Sequence, residues 1–569
     1  MKVPAPVRWG LIGGVVVVYL AAVGMIEKFD ERPIINGIVQ FGVLVLLGTF
    51  FFFSYLAYRG QTTQGLGVGI TAGGTAGLLA GVVMALLQLM VDGGIDVRGM
   101  FLRINPALFE ILDFGTNPYL GLVILTVAGA VMGAAAGAYR QLGATAQTVV
   151  LTVAATIVLA ALGSRLFIPM LQGLGIPTSW LYRSDALTPV GAVVVAALVV
   201  AIRLFLRRKG GFREALVEVP GVNRGNVRWI LFGLALVAVL AAPWIGKQFV
   251  ADVLGTIGLY VLLGLGLNIV VGYAGLLDLG YVAFFAVGAY TVALLTSRSS
   301  SLVGATVFDL ADSSLTNFWV ALPITIVVAV VIGVLIGAPV LRLRGDYLAI
   351  VTLGFGEIIR ILILSDWLKP IFGGPQGITE VDDVPAFGAN TNDPRVLYYL
   401  IVAFAFIAYF IATRLKDSRV GRAWAAMRED EDIAEGMGVS VIKYKLLAFA
   451  MGAAVGSLGG AFFPAKLGVA NPGSFTILVS INVLAVVVLG GMGSIPGVVV
   501  GSAILVGLPE LLREFGEYRI HIYGAILIAI MILKPEGLIP DKRRALELHA
   551  KETHEGPGPL APSAMGGVQ

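Results

Sequence analysis

The 569-residue chain contains no cysteine and only three histidines, His521, His549 and His554. Disulfides, thiolate metal sites and cysteine nucleophiles are excluded, and a histidine-rich metal cage has no material. Charge is also scarce: 13% of residues are Asp, Glu, Lys or Arg, against roughly 25% in a soluble domain. The only Gly-Lys step, Gly246-Lys247, runs into Gln248, so the sequence has no P-loop to cradle ATP phosphates. Nor does it hold a nucleophile elbow, a zinc motif or a carboxylate pair with a catalytic setting. These absences leave little for enzymatic chemistry.

Apolar surface is present in excess. Hydrophobic residues make up 58% of the chain, glycine adds 74 residues, and the mean hydropathy is +0.92. No soluble fold can bury that much, and the excess lies in long uncharged runs of the kind that cross bilayers. The net charge of +4 does not point to nucleic acid, because the basic residues sit in loops beside those runs. The expected class is an all-α polytopic membrane protein whose surroundings are membrane lipid.

A spanning helix needs about 20 mostly apolar residues. Candidate runs are 9–26, 34–58, 62–91, 117–139, 144–163 and 188–206, then 229–246, 253–272, 279–297, 318–341, 347–364, 396–413, 446–465, 477–491, 497–512 and 519–533. That is about 16 spans: six in a block over residues 1–206 and about ten after a charged connector, 207–228. The second block fills 229–540, and a Gly/Pro/Ser-rich tail over 541–569 reads as disordered. With Lys2 and Arg8 inside, the count places the connector, the basic loop 414–445 and the tail in the cytoplasm, while 298–317 and 365–395, poor in Lys and Arg, face out. Both termini are then cytoplasmic, and the first run is expected to stay as an uncleaved anchor rather than a signal peptide.

Five stretches stand out. Gly272–Tyr290 (GYAGLLDLGYVAFFAVGAY) interrupts two runs with glycines and holds Asp278, the only charge between Val253 and Ser297; it is either a tight packed turn or a polar point on a solute path. In Arg342–Arg360 (RLRGDYLAIVTLGFGEIIR), Arg342 and Arg344 mark a boundary, and Glu357 and Arg360 share one helix face inside an apolar run. Glu357 is either paired structurally with Arg360 or lines the path of a zwitterion. GGPQGI (373–378) is a turn in an outer loop. Ser418–Lys445 (SRVGRAWAAMREDEDIAEGMGVSVIKYK) is amphipathic, with Arg428–Glu435 expected as one short helix ended by Gly436 and Gly438; it is suited to docking in a partner's groove. LGGMGSIPG (489–497) breaks two late runs, and Gly452, Gly456 and Gly460 form a smooth stripe for close helix contact.

Taken in order, these stretches, together with YKLLAF and LKPEGLIP (533–540), resemble the LivM-type permease of branched-chain amino-acid ABC importers over about residues 229–545. The resemblance implies a permease subunit of a bacterial inner membrane, multi-pass, paired with a second, LivH-type permease. It also implies two cytoplasmic ATPase subunits that consume the ATP, no cofactor in this chain, and an extracytoplasmic binding protein that delivers a hydrophobic amino acid. The family's coupling segment falls on Arg422–Val439, with Arg422, Arg428, Asp432, Ala434, Glu435 and Gly438 as coupling residues; Gly436 stands where the family pattern more often has alanine. Asn268, Tyr273, Thr352, Glu357 and Asn482 are the polar candidates for a mostly apolar pathway. The rival expectation is an ion-coupled secondary transporter of a small zwitterion, for which Glu357 and Asp278 would be the ion sites. A membrane enzyme acting on lipid-linked substrates through the carboxylates of 365–395 ranks behind both.

Overall fold

A computed structural model of the chain describes residues 4–58, 65–93, 106–208, 227–245, 247–297, 318–340, 343, 345–385, 393–513, 516, 518–534 and 536–540. Most of the connector 207–228, the loop 298–317, Arg342, Arg344 and the tail 541–569 lie outside the described residues. The protein is an all-α polytopic membrane protein. Among the described residues, ten helices are long and apolar enough to cross a membrane, and four shorter apolar helices accompany them. Each of the sixteen apolar runs carries a helix. The chain separates into two compact units, Met1–Lys247 with Leu511–Tyr518, and Gln248–Glu510 with Arg519–Gln569.

The first unit contains α1 (Ala5–Ala22), α2 (Met25–Asp30), α3 (Phe41–Leu56), α4 (Leu66–Asp92), α5 (Pro106–Leu112), α6 (Pro118–Gln141), α7 (Ala144–Leu162), α8 (Ser164–Gly173), α9 (Pro189–Arg208) and α10 (Val227–Ile245). Its tightest contact joins α4 to α6 through glycines. A Cβ on Gly69 would stand 2.1 Å from the Gly133 carbonyl oxygen, and one on Gly73 2.0 Å from that of Gly129. Such a face lets two backbones touch, and any larger residue would separate them. Asn117 starts α6 by accepting the Leu120 N–H at 2.8 Å, with Pro118 in the first turn.

The run at 34–58 is not helical throughout. Its first residues fold into β1 (Pro33–Ile35) and β2 (Val39–Gln40), which join β3 (Tyr182–Arg183) and β4 (Ala186–Leu187) in a sheet ordered β2-β1-β4-β3. Strands of two and three residues leave no periodicity to read. The sheet is tied down by Arg32, whose Nη2 donates to the Ser164 hydroxyl at 2.7 Å and to the carbonyls of Asp185 at 3.0 Å and Ala161 at 3.1 Å.

The second unit runs through α11 (Lys247–Leu267), a π-helical turn (Asn268–Tyr273), α12 (Val282–Thr296), α13 (Phe318–Val340), α14 (Asp346–Leu364) and α15 (Lys369–Phe372). It continues with α16 (Pro394–Asp417), α17 (Arg419–Glu429), α18 (Glu431–Gly436), α19 (Val441–Leu467), α20 (Ile477–Gly490), α21 (Ile495–Leu511) and α22 (Tyr518–Leu533). On α19, Gly456 and Gly460 receive α12 and the Tyr281 before it, while Gly452 faces Val270 of the π-helical turn. A Cβ on Gly460 would lie 2.3 Å from the Phe285 carbonyl oxygen, and one on Gly456 2.4 Å from the Tyr281 hydroxyl. The GGPQGI turn is pinned at Ile378, which exchanges two backbone bonds with Ala470 at 3.1 and 2.9 Å.

Candidate functional site

The segment between α16 and α19 is built by its own caps. Ser418 Oγ accepts the Gly421 N–H at 3.2 Å and opens α17. Asp430 Oδ1 accepts the N–H groups of Asp432 and Ile433, both at 2.9 Å, and opens α18. The expected single helix over 428–435 is therefore two, because the Asp430 backbone turns extended to act as a cap. Gly438, at φ 88°, ends the second helix in the left-handed region that favours glycine. Inward, Trp424 is fully buried and its Nε1 donates to the Tyr444 carbonyl at 2.8 Å. Lys445, also buried, pairs with Glu431 at 2.8 Å and holds the start of α18 against α19. Outward, Ile433 is 66% exposed and Met437 81% exposed, one helical turn apart, flanked by exposed Asp432 and Glu435.

From this segment a continuous set of bonds enters the helix bundle. Arg428 Nη1 donates to the Gly272 carbonyl at 3.0 Å, at the end of the π-helical turn. Lys416 Nζ donates to the Gly493 carbonyl at 3.1 Å, in the break between α20 and α21. The two breaks meet where Asn268 Oδ1 accepts the Gly493 N–H at 2.8 Å. Gly272 is required there, since a Cβ would lie 2.1 Å from Asn268 Oδ1 and 2.6 Å from the Gly493 nitrogen. LKPEGLIP completes the junction: Leu538 and Ile539 donate to the carbonyls of Leu489 at 2.8 Å and Gly490 at 3.0 Å.

Beyond the π-helical turn, residues 275–281 leave the helix, and other elements satisfy part of their backbone. Thr352 Oγ1 accepts the Leu279 N–H at 3.1 Å, and Ser480 Oγ accepts the Val282 N–H at 2.8 Å. The Tyr281 hydroxyl donates to the Gly452 carbonyl at 2.9 Å. Broken backbone at membrane depth is stable only when its polar groups find partners in this way. Asp278 is buried here; its Oδ1 accepts the Gly280 N–H at 2.9 Å.

A family profile described as "Branched-chain amino acid transport system / permease component" matches residues 249–534. The chain belongs to this permease family. It is 39% identical to the LivM high-affinity branched-chain amino-acid permease of Salmonella typhimurium, over 58% of this chain and 79% of that protein. It is 40% identical to LivM of Escherichia coli over the same shares. The LivH permease of Escherichia coli is 31% identical over 27% of this chain and 49% of its own length. No solved structure matches the chain.

Within this permease, Asn268 and Thr352 flank the same broken stretch, one through Gly493 and the other through Leu279. Tyr273 is buried at the end of the π-helical turn, its ring centroid 5.9 Å from Lys416 Nζ. Glu357 stands apart: its carboxylate takes Arg360 Nη2 at 2.5 Å and Nε at 3.0 and 3.1 Å, a pair on a part-exposed face of α14. Asn482 lies elsewhere again, accepting from the Tyr523 hydroxyl at 3.4 Å. Of the coupling candidates, Arg428 reaches the junction, while Arg422, Asp432, Glu435 and Gly438 are exposed and Ala434 is buried beneath α18. The sequence reading passed over Trp424 and Lys445 as inward anchors. An apolar or basic residue twenty or fourteen positions from its partner carries no local signal of that role.

Proposed function

We propose that the chain is the transmembrane permease subunit of an ATP-driven importer for branched-chain or related hydrophobic amino acids. It pairs with a second, LivH-type permease, takes solute from an extracytoplasmic binding protein, and is coupled through 414–445 to two separate ATPase subunits. The chain itself holds no cofactor; ATP is used by those partners. It lies in the bacterial plasma membrane with both termini and the 414–445 segment in the cytoplasm.

The observation that carries this reading is the bond from Arg428 to the Gly272 carbonyl, which links the capped helices α17 and α18 to the broken centre of the core. An exposed apolar pair, Ile433 and Met437, offers the partner a hold, and Glu435 and Asp432 give it polarity. Movement of α18 then pulls on Arg428 and on the junction of Asn268 and Gly493, opening the path beside Tyr273 and Thr352 to alternate sides. Asn482 and Glu357 contribute at other depths of the path. An isolated ion-coupled transporter has no use for the 414–445 segment.

The test is recovery of the full chain from its native membrane with the proteins that accompany it, with ATPase activity and leucine uptake measured in reconstituted vesicles. Wild type should bring a second permease and two ATPases. Arg428→Ala should retain those partners and lose at least tenfold in uptake, since the charged hydrogen bond it removes contributes about 1.5–3 kcal/mol. Replacing Glu435 and Gly438 together should release the ATPases. A chain that purifies alone and transports on an ion gradient without ATP would favour the secondary transporter, with Asp278 as its buried carboxylate.

A further inference from the structure

The end of the second unit opposite the 414–445 segment carries a cavity of about 170 Å³ that none of the motifs above accounts for. It lies between the starts of α11 and α16 and the end of α19. Three charged side chains reach it: Lys466 from α19, Asp252 from α11, and Asp383 from the segment before α16. Apolar Leu397 and Ile401 and the ring of Tyr398 form the wall on α16. An engineered cavity of about 150 Å³ takes a benzene ring, so this one has room for a small organic solute.

Lys466 is the anchor of the site. Its side chain is 11% exposed, and Nζ pairs with Asp252 Oδ1 at 3.1 Å while donating to the Asp252 carbonyl at 2.7 Å and to Thr256 Oγ1. The Asp252 side chain, by contrast, is 58% exposed. An ion pair with one partner in water contributes little, and the exposed partner is free to leave. Asp383 is exposed and has no ion-pair partner among the described residues. The cavity therefore offers one fixed cation, one carboxylate that can let go of it, and a second carboxylate without an ion-pair partner among the described residues.

We infer that this cavity binds the zwitterion of an aliphatic amino acid, as a receiving site on the side from which solute enters; the inference rests on the importer reading above. The solute carboxylate takes Lys466 from the Asp252 side chain, and its ammonium is held by Asp252 and Asp383. One ion pair becomes two, and the net charge of the site is unchanged. Leu397 and Ile401 meet the aliphatic side chain. A solute with a second ammonium would face Lys466, and one with a second carboxylate would face Asp383, so like-charge repulsion excludes both.

The experiment is equilibrium binding of tritiated leucine to the solubilised full-length chain, with thermal unfolding and leucine uptake by cells measured on the same variants. Wild type should bind leucine, with valine and isoleucine competing and glutamate and lysine not. Lys466→Met and Asp383→Asn should each weaken binding at least tenfold, and Lys466→Arg should recover part of it. Asp383 is exposed, so Asp383→Asn should leave the unfolding temperature unchanged. Wild type that binds no leucine, or variants that bind as wild type does, would overturn the site. So would loss of binding in Lys466→Met alone with a lowered unfolding temperature, which marks the pair as a structural tie. If wild-type cells still take up leucine in those cases, the importer reading stands without this site; if they do not, that reading has failed as well.

Discussion

The two units use glycine for opposite ends. In the first, Gly69, Gly73 and Gly77 of α4 meet backbone carbonyls of α6, and two unbroken helices lie in direct contact. In the second, Gly266 and Gly456 make room for one hydroxyl, that of Tyr281, at the edge of a stretch where the helix stops. The extremes of burial fall the same way. The best apolar window of α7 is 6% buried, whereas those of α11 with its π-helical turn and of α19 are both 72% buried. A helix with lipid on most sides must satisfy its own backbone. One surrounded by other helices can break, because Thr352, Ser480 and Asn268 complete its bonds. Polar breaks belong to the surrounded helices.

The sharpest way to break this comparison is to place the same residue in both settings. Gly280→Val puts a Cβ 1.8 Å from the Thr352 carbonyl oxygen, and Gly73→Val puts one 2.0 Å from that of Gly129. Overpacking against backbone costs about 1–3 kcal/mol or more. Gly280→Val should abolish uptake. Gly73→Val should open residues 1–247 to limited proteolysis while 248–510 stays protected; equal digestion of both units would mean that they do not fold independently.

Next in size is Trp424→Ala. A buried aromatic removed from a packed site costs about 3–5 kcal/mol, and hydrogen exchange should rise over 418–445 before it rises in α19. A smaller loss follows Asn268→Ala, which leaves the Gly493 N–H buried without its acceptor, at about 1–3 kcal/mol. The unfolding temperature in detergent should fall, and the corresponding removal of Thr71, an exposed residue whose hydroxyl bonds within α4, should leave it unmoved.

Much of the molecule is legible along the chain. Hydropathy locates the sixteen runs because a bilayer demands about 20 apolar residues in a row, and that demand is local. The caps at Ser418 and Asp430 act within three residues, although the second was read as part of one helix, since an acidic residue in a charged run signals a cap and a helix interior alike. The family motifs are equally local strings. What they do together is another matter. Asn268 and Gly493 are 225 positions apart, Arg428 and Gly272 are 156, and Lys466 and Asp252 are 214.

The class of the molecule, its apolar runs and its family are written in the chain, because these rest on composition and on contacts within a helical turn. The convergence of two breaks on Asn268, the inward turn of Ala434 beside outward Ile433, and the cavity around Lys466 were decided by the packing of helices. Which face of a uniformly apolar helix meets a neighbour depends on shapes brought together from distant parts of the chain, and no periodicity along any one helix records it.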